Sequence, residues 1–236
     1  MTTLAVTRPV SATLDRCEIS FIEREPIDVA LARRQHADYE AALERAGAKV
    51  VRLPAADDHP DATFVEDAAL VLDELAVIPI MGAPSRRGET VEVARCLAEY
   101  RPLARLVPPA TLDGGDVMLV ERTIVVGLTA RTNQAAVDQV RALTAPYGYE
   151  VVPVVPRGCL HLKSACTYLG RGIVLANPEW IDPSCLGDVE VLAVGPEEAF
   201  AANAVAVNGR LLYAAGYPLT HERLVRRGFE VLTVET

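Results

Sequence analysis

The sequence lacks the features by which membrane, secreted and nucleic-acid-binding proteins are commonly recognised. No apolar run in its 236 residues approaches the roughly 20 residues that span a bilayer, and its start shows no signal-peptide pattern. Positive charge is also in deficit, since 23 Lys and Arg residues face 32 Asp and Glu residues, which gives a net charge of −9. This balance disfavours nucleic acid and anionic membranes as partners and suits a cationic small-molecule ligand.

The sequence also lacks a CxxC pair, because its five cysteines are scattered. They are Cys17, Cys96, Cys159, Cys166 and Cys185. An odd, scattered set is typical of reduced thiols, so we predict a cytoplasmic protein. Cys159, His161 and Cys166 invite a zinc interpretation, but their C-x-H-x₄-C spacing matches no structural zinc pattern. We expect buried structural thiols, and no metal or other cofactor.

No stretch is biased enough in composition to serve as a linker, and half of the residues are hydrophobic. We therefore predict that residues 1–236 form a single α/β domain. Apolar residues at helical spacing, with Pro and Gly at the boundaries, predict four helices. Their ranges are 26–48, 88–100, 131–148 and 218–228.

Four further segments each contain two apolar runs joined by a short polar turn, which predicts β-hairpins. Their ranges are 64–80, 112–128, 160–177 and 203–218. Asn208 and Gly209 supply the strongest of the turn signals, because both residues tolerate the positive φ angles of a tight hairpin.

Polar residues recur at or near the start of each hairpin. They are Glu66 and Asp67, then Asp113 and Asp116, then His161, then Asn203. The steps from Asp67 to Asp113, His161 and Asn203 are 46, 48 and 42 residues. A repeat of this length is typical of copies of one supersecondary unit arranged around an axis. The polar residues are then expected to converge at the centre.

Residues 3–9 read as a strand without a hairpin partner of the same kind. In a closed ring its companion has to come from the far end of the chain, and the sequence reaches Thr236 without offering one. We therefore expect the last module to be incomplete in this sequence.

Six motifs in order resemble the dimethylarginine dimethylaminohydrolase family, within the amidinotransferase-like, guanidine-modifying superfamily. They are RQHADY (34–39), LPAADDHPDATFVEDAAL (53–70), GAPSRRGE (82–89), TLDGGDV (111–117), VGLTARTNQ (126–134) and LHLKSAC (160–166). The resemblance implies a pentein-like, five-bladed α/β propeller of ββαβ modules. It also implies hydrolysis of N-methylated L-arginine to L-citrulline and a methylamine, through a covalent cysteine adduct and without a metal.

In that family the nucleophilic cysteine lies after the point where this sequence ends, and none of the five cysteines has its context. We expect the nucleophile beyond residue 236, which leaves the 236-residue form inactive. Two alternatives stay open: arginine deiminase or amidinotransferase chemistry, and a catalytically inactive protein that binds arginine-type amino acids. Whether the chain forms a homodimer also stays open.

The resemblance assigns catalytic roles to His161 and Asp113. His161 becomes the general acid and base, and Asp113 orients both this histidine and the substrate. Taken alone, a histidine on an apolar strand is more often a core residue, and "DGGD" is more often a turn. Asp116 is expected to be structural, fixing the glycine corner through backbone hydrogen bonds.

The acidic segment "PDATFVED" is expected to bind the substrate's cationic groups. By resemblance, Asp67 receives the guanidinium group and Asp61 the α-amino group. Glu66 and Asp67 are neighbours on a predicted strand and therefore face opposite sides, so Glu66 is expected to act less directly.

Arg86 and Arg131 are the expected clamp for the α-carboxylate, because a guanidinium offers that group a planar pair of donors. Arg87 competes with Arg86 for this role. In the segment 12–26, the backbone carbonyl of Ile19 is a candidate contact from a flap over the ligand.

Overall fold

A computed structural model of the protein describes residues 2–236, in which fourteen strands form five small sheets. The strands are β1 (Leu4–Thr7), β2 (Lys49–Arg52), β3 (Leu70–Val71), β4 (Ala76–Ile78), β5 (Leu103–Arg105), β6 (Val117–Val120), β7 (Thr123–Gly127), β8 (Glu150–Val154), β9 (Cys166–Gly170), β10 (Ile173–Ala176), β11 (Glu190–Ala193), β12 (Val205–Val207), β13 (Arg210–Ala214) and β14 (Glu230–Val234). The α-helices are α1 (Val29–Arg45), α2 (Thr90–Leu97), α3 (Gln134–Thr144), α4 (Leu162–Ala165) and α5 (Pro218–Arg226). Within residues 2–236, no helix combines the length and the apolar character needed to cross a membrane.

Four sheets repeat one topology, and we number them as modules 1 to 4 in chain order (β3–β5, β6–β8, β9–β11 and β12–β14). In each, the first two strands are antiparallel and the second pairs in parallel with the third. A parallel pair needs a crossover connection, which α2, α3 and α5 provide in modules 1, 2 and 4. In module 3 a short 3₁₀-helix, Pro183–Leu186, lies in the crossover.

Module 5 consists of β1, α1 and β2, and its two strands are parallel. By connectivity β1 therefore corresponds to the central strand of the other modules. Within residues 2–236 no strand pairs with the other edge of β1. A groove of about 960 Å³ lies beside β1 and is lined by Leu4 and Val6, and also by Glu66, Gly114 and Lys163. This arrangement agrees with the prediction that the strand at 3–9 has no hairpin partner.

The modules follow one another around a ring, because each shares an apolar core with the next. Ile124 of module 2 packs with Val77 of module 1, and Val174 of module 3 packs with Met118. Leu175 packs with Leu211 of module 4. Two further cores join module 5 to modules 4 and 1, through Leu43 with Leu212 and through Leu53 with Ile78 respectively. The predicted ring of modules is confirmed; that residues 1–236 form one domain stays a prediction.

Glu66, Asp67 and Asp116 lie on short helical turns, so the prediction that Glu66 and Asp67 are neighbours on a strand is wrong. Asp113 and His161 directly precede such turns. The turns are Val65–Ala68, Gly114–Asp116 and Leu162–Ala165. Each turn contains a backbone hydrogen bond of its own: the N–H of Asp116, for example, donates to the carbonyl of Asp113 at 2.9 Å. The residues therefore need no neighbouring strand as a partner, and the extended ladder begins only afterwards.

The predicted helices and hairpins are confirmed, with shorter helix bounds. Helix α1 begins at Val29 rather than near Pro26, because the Asp28 side chain caps it by accepting the N–H of Leu31. Asn133 caps α3 in the same way, so that helix begins after residue 131. At the last hairpin, Asn208 has φ 50° and Gly209 has φ 80°, as a type I′ turn requires.

Candidate active site

The turns of modules 1, 2 and 3 meet around the imidazole ring of His161. Its Nδ1 lies 3.3 Å from Oδ2 of Asp116, and its Nε2 lies 4.0 Å from Oδ2 of Asp113. Both aspartates are fully buried. The sequence prediction chose Asp113 as the residue that orients His161, but Asp116 approaches the ring more closely.

The two glycines of "DGGD" allow this close approach. A Cβ atom on Gly114 would lie 2.0 Å from the carbonyl oxygen of Glu66. A Cβ atom on Gly115 would lie 2.8 Å from Oδ1 of Asp67 and 3.1 Å from the ring of His161. Neither position has room for a side chain, so the glycines bring one module's backbone directly against its neighbours.

Asp67 belongs to a buried chain of ion pairs. Its Oδ1 accepts the N–H of Gly115 at 2.9 Å, and its Oδ2 accepts Nη1 of Arg86 at 2.9 Å. Arg86 also donates from Nη2 to Glu89 at 2.9 Å. Burial lowers the pKa of Arg86, but the bonds to the two carboxylates outweigh burial and raise it overall. Burial raises the pKa of Glu89 and the ion pair with Arg86 lowers it; the net direction is upward.

Asp116 is held by neutral donors. Its Oδ1 accepts the N–H of Leu162 at 3.0 Å, and its Oδ2 accepts the hydroxyl groups of Thr129 and Thr132, each at 2.7 Å. The expectation that Asp116 fixes its own glycine corner is therefore incomplete. Its backbone contact lies in the next module, beside His161.

Asp113 is linked to the loops that follow β4 and β7. Its Oδ1 accepts the N–H of Gly82 at 2.8 Å, and its Oδ2 accepts Nη1 of Arg131 at a long 3.4 Å. Burial raises the pKa of Asp113, and the bond from Gly82 opposes that rise.

The segment before α1 lies against the same site. Nη2 of Arg131 lies 3.4 Å from Oγ of Ser20, and both carboxylate oxygens of Asp61 accept the N–H of Glu18, at 3.1 and 3.2 Å. Ile19 packs against the small core that contains Leu14. The roles predicted for Asp61, Ile19 and Arg131 stay predictions.

Two residues of the predicted set are exposed. Glu66 forms an ion pair at 2.8 Å with Lys163, across modules 1 and 3. Glu66 is exposed and Asp67 is buried, so the two side chains face different sides, as predicted, although they lie on a helical turn rather than on a strand. Asn203 is exposed, in contrast to the buried Asp67 and Asp113. Arg87 donates to the carbonyl of Met81, away from the carboxylates that Arg86 contacts.

The carboxylates favour a protonated His161. Burial lowers the pKa of this imidazole, but Asp116, and then Asp67 and Asp113, raise it, and the net direction is upward. The ring is therefore suited to hold a proton that it can deliver to a leaving group.

Two thiols near His161 are poorly suited to attack a substrate. Sγ of Cys159 donates to the carbonyl of His161 at 3.3 Å, and burial raises its pKa to about 11. Cys166 is fully buried, and burial raises its pKa to about 12. Because the thiolate is the nucleophilic form, neither residue supplies one readily near neutral pH.

Sequence reasoning missed three residues of this site, namely Glu89, Thr129 and Thr132. Glu89 stands at the start of α2, where an acidic residue is ordinarily explained by the helix dipole. The threonines flank Arg131 in the motif "TART", which drew attention to the arginine alone. The threonines follow β7 as Arg86 follows β4, so a comparison of equivalent loops is the signal that could have found them.

The family follows from comparison with known proteins. A family model described as "N,N dimethylarginine dimethylhydrolase, eukaryotic" matches residues 6–185. The chain belongs to the dimethylarginine dimethylaminohydrolase family.

Curated relatives in two bacteria agree with this assignment. The N(G),N(G)-dimethylarginine dimethylaminohydrolase of Streptomyces coelicolor is 40% identical over 232 residues, which cover 98% of this chain and 89% of the relative. That of Pseudomonas aeruginosa is 35% identical over 211 residues, covering 89% of this chain and 83% of the relative.

Solved structures agree as well. A cysteine-to-serine mutant of the P. aeruginosa protein, complexed with citrulline, matches with a TM-score of 0.95 at 33% identity and covers 100% of this chain and 93% of that one. The N-terminal domain of the cyanobacterial arginine dihydrolase ArgZ matches with a TM-score of 0.86 at 21% identity, over 98% of this chain and 90% of that chain, which shows the fold alone. The fold is the predicted five-bladed α/β propeller.

Proposed function

We propose that the protein hydrolyses N-methylated L-arginines to L-citrulline and a methylamine. The observation that carries the proposal is an excess of buried negative charge around His161. The buried carboxylates are those of Asp61, Asp67, Glu89, Asp113 and Asp116, and the buried arginines are Arg8, Arg86 and Arg131. Uncompensated buried carboxylates are costly, and a guanidinium ligand relieves that cost through paired, charge-assisted hydrogen bonds. The citrulline complex of the P. aeruginosa relative supports the same product.

Each end of the substrate has a candidate partner. Asp67 and Asp113 hold the guanidinium group, since each carboxylate retains free lone pairs beyond its present bonds. Arg131 binds the α-carboxylate, because both of its recorded contacts are long at 3.4 Å and leave donors to spare. By resemblance to the family, Arg86 is the second arm of this clamp, and its bonds to Asp67 and Glu89 have to open to free a donor. Asp61 receives the α-amino group by the same resemblance.

The reaction needs a thiolate, a proton donor and a base. The thiolate attacks the guanidinium carbon, and His161 protonates the methylated nitrogen so that the amine leaves and a covalent thiouronium adduct remains. His161 then removes a proton from water, and the hydroxide adds to the same carbon. Collapse of that adduct forms the ureido carbonyl, breaks the carbon–sulfur bond and gives up the hydroxyl proton to the released amine, which frees citrulline and restores the thiolate.

We propose that this thiolate comes from outside residues 2–236. The raised pKa values of Cys159 and Cys166 support this, as does the groove beside β1, whose lining includes Glu66, Gly114 and Lys163 at the edge of the site. A strand that fills this groove and pairs with β1, as β3 pairs with β4, is suited to carry a cysteine to His161.

Product analysis tests both proposals. N-dimethyl-L-arginine is incubated with the 236-residue chain, and with the chain carrying whatever residues follow Thr236 in its source. We expect citrulline and dimethylamine in equal amounts from the longer chain only, with His161→Gln as an inactive control. Turnover by the 236-residue chain that Cys159→Ser or Cys166→Ser abolishes would contradict the external thiolate.

The assay also separates the alternative functions. Faster conversion of unmethylated arginine, with release of ammonia, would favour a deiminase. Binding without turnover in every form would favour a protein that only binds arginine-type amino acids. Agmatine lacks the α-carboxylate, so we expect it to bind about tenfold to a hundredfold more weakly than arginine. Equal affinities would refute the assignment of Arg86 and Arg131.

A further inference from the structure

Asp67 and Asp116 occupy equivalent positions but have different partners. Asp67 lies three residues after Phe64, and Asp116 lies three residues after Asp113; Phe64 and Asp113 are the residues that directly precede the two turns. Each aspartate accepts a backbone N–H from the turn of the next module. The second oxygen of Asp67 meets the cationic Arg86. The second oxygen of Asp116 accepts hydrogen bonds from the neutral hydroxyl groups of Thr129 and Thr132 and has no arginine partner.

The charge of Asp116 therefore acts on the one group nearby that can become positive. That group is His161, whose buried Nδ1 lies 3.3 Å from Oδ2 of Asp116 and forms no hydrogen bond of regular geometry within the described chain. A nitrogen lone pair facing a carboxylate is repelled, whereas an N–H group is attracted. Hydroxyl donors hold the carboxylate in place without neutralising it.

We propose that Asp116, held by Thr129 and Thr132, is a positioning residue that keeps the proton of neutral His161 on Nδ1. The lone pair of Nε2 is then directed towards Asp113 and is free to accept a proton from water. Only the catalytic consequence rests on the proposed function; the position of the proton on the ring is independent of it.

Other charges near the ring do not provide this orientation. Asp113 faces Nε2 at 4.0 Å and is shared with Arg131, while Asp67 is paired with Arg86. On the same turn, Lys163 is directed to Glu66. Cys159 contacts the backbone carbonyl of His161 rather than its ring. These groups contribute to the charge at the site, but Asp116 is the one in reach of Nδ1.

Nitrogen-15 NMR of the histidine side chains tests the proposal on the 236-residue chain without any turnover. Above the pKa of His161, we expect a protonated-type signal from Nδ1 and an unprotonated-type signal from Nε2. Asp116→Asn should lower the pKa of His161 and abolish the preference for Nδ1. Asp113→Asn, the matched control, should lower the pKa and leave the proton on Nδ1.

Thr132→Val provides a second route if Asp116→Asn does not fold. It removes a hydroxyl group that competes with the imidazole for Oδ2, so the pKa of His161 should rise, whereas Thr132→Ser should leave it unchanged. A neutral wild-type His161 with its proton on Nε2 would overturn the proposal. An Asp116→Asn variant that folds and keeps both the Nδ1 proton and the wild-type pKa would overturn it as well.

Discussion

Modules 1 and 2 share one backbone plan but treat a buried carboxylate in different ways. In module 1, Asp67 is paired with Arg86, which Glu89 also contacts. In module 2, Asp116 has hydroxyl groups where Asp67 has a guanidinium. Module 1 thus forms a buried chain of ion pairs through Asp67, Arg86 and Glu89. In module 2 the charge of Asp116 has no arginine partner and acts on His161 of module 3.

The difference shows how a repeated fold produces an asymmetric site. Equivalent turns bring equivalent positions to the centre, and the residue on the adjoining loop decides whether a carboxylate is neutralised or left available. A loop residue therefore changes the chemistry without changing the turn.

The largest expected effect comes from removing the cation of the buried ion pairs in module 1. Arg86→Met leaves Asp67 and Glu89 buried without their cation, so we expect the free energy of unfolding to fall by about 3–5 kcal/mol. Urea unfolding measures it. Arg95→Met, which removes an exposed pair with Glu92, is the control and should change stability by less than about 0.5 kcal/mol. Similar losses in the two variants would show that the buried chain contributes little.

A smaller effect is expected at Gly115, a glycine of module 2 that lies against residues of modules 1 and 3. The added methyl group of Gly115→Ala would lie 2.8 Å from Asp67 and 3.1 Å from His161, so we expect a loss of about 1–3 kcal/mol and a displaced imidazole signal. Gly216→Ala is matched, because nothing lies within 4 Å of its Cβ position. An undisturbed His161 signal in Gly115→Ala would mean that the close approach is not required.

The pH dependence of stability should report the attraction between protonated His161 and the negative charge of Asp116. Folding raises the pKa of His161 above 6.5, so its protonated form contributes stability fully below about pH 6.5 and loses it as the pH rises through the folded pKa. The stability advantage of wild type over His161→Gln should therefore shrink with rising pH. His36, whose pKa burial lowers, is present in both proteins and cancels. An advantage that grows with pH would contradict the assignment.

The smallest effect is expected at the edge of the site. Lys163 and Glu66 join modules 1 and 3 through a partly exposed ion pair at 2.8 Å. Such pairs contribute about 0–1 kcal/mol, so Lys163→Met should change the urea midpoint only slightly. A loss comparable to that of Arg86→Met would mean that this partly exposed pair stabilises the protein as much as the buried ion pairs of Arg86 do.

Much of this arrangement is predictable from local sequence, and the limits have physical reasons. Hairpins follow from alternating apolar residues with turns such as Asn208–Gly209, and the 48-residue step from Asp113 to His161 relates two residues that precede equivalent turns. The short turns were missed because helices of three or four residues are too short to show a periodicity. The role of Thr129 was missed because its contact with Asp116, 13 residues earlier in the chain, depends on how the module folds. Glu89 was missed because its partner Arg86, three residues earlier, was assigned to the substrate instead.

Titration of the histidine NMR signals shows directly whether the acidic site around His161 binds methylated arginine. N-dimethyl-L-arginine is added to the 236-residue chain while the rings of His36, His59, His161 and His221 are observed. We expect the His161 signal to shift in a saturable way, the other three histidine signals to stay in place, and Asp113→Asn to weaken the response. An unresponsive His161, or an equal response to agmatine, would contradict this expectation.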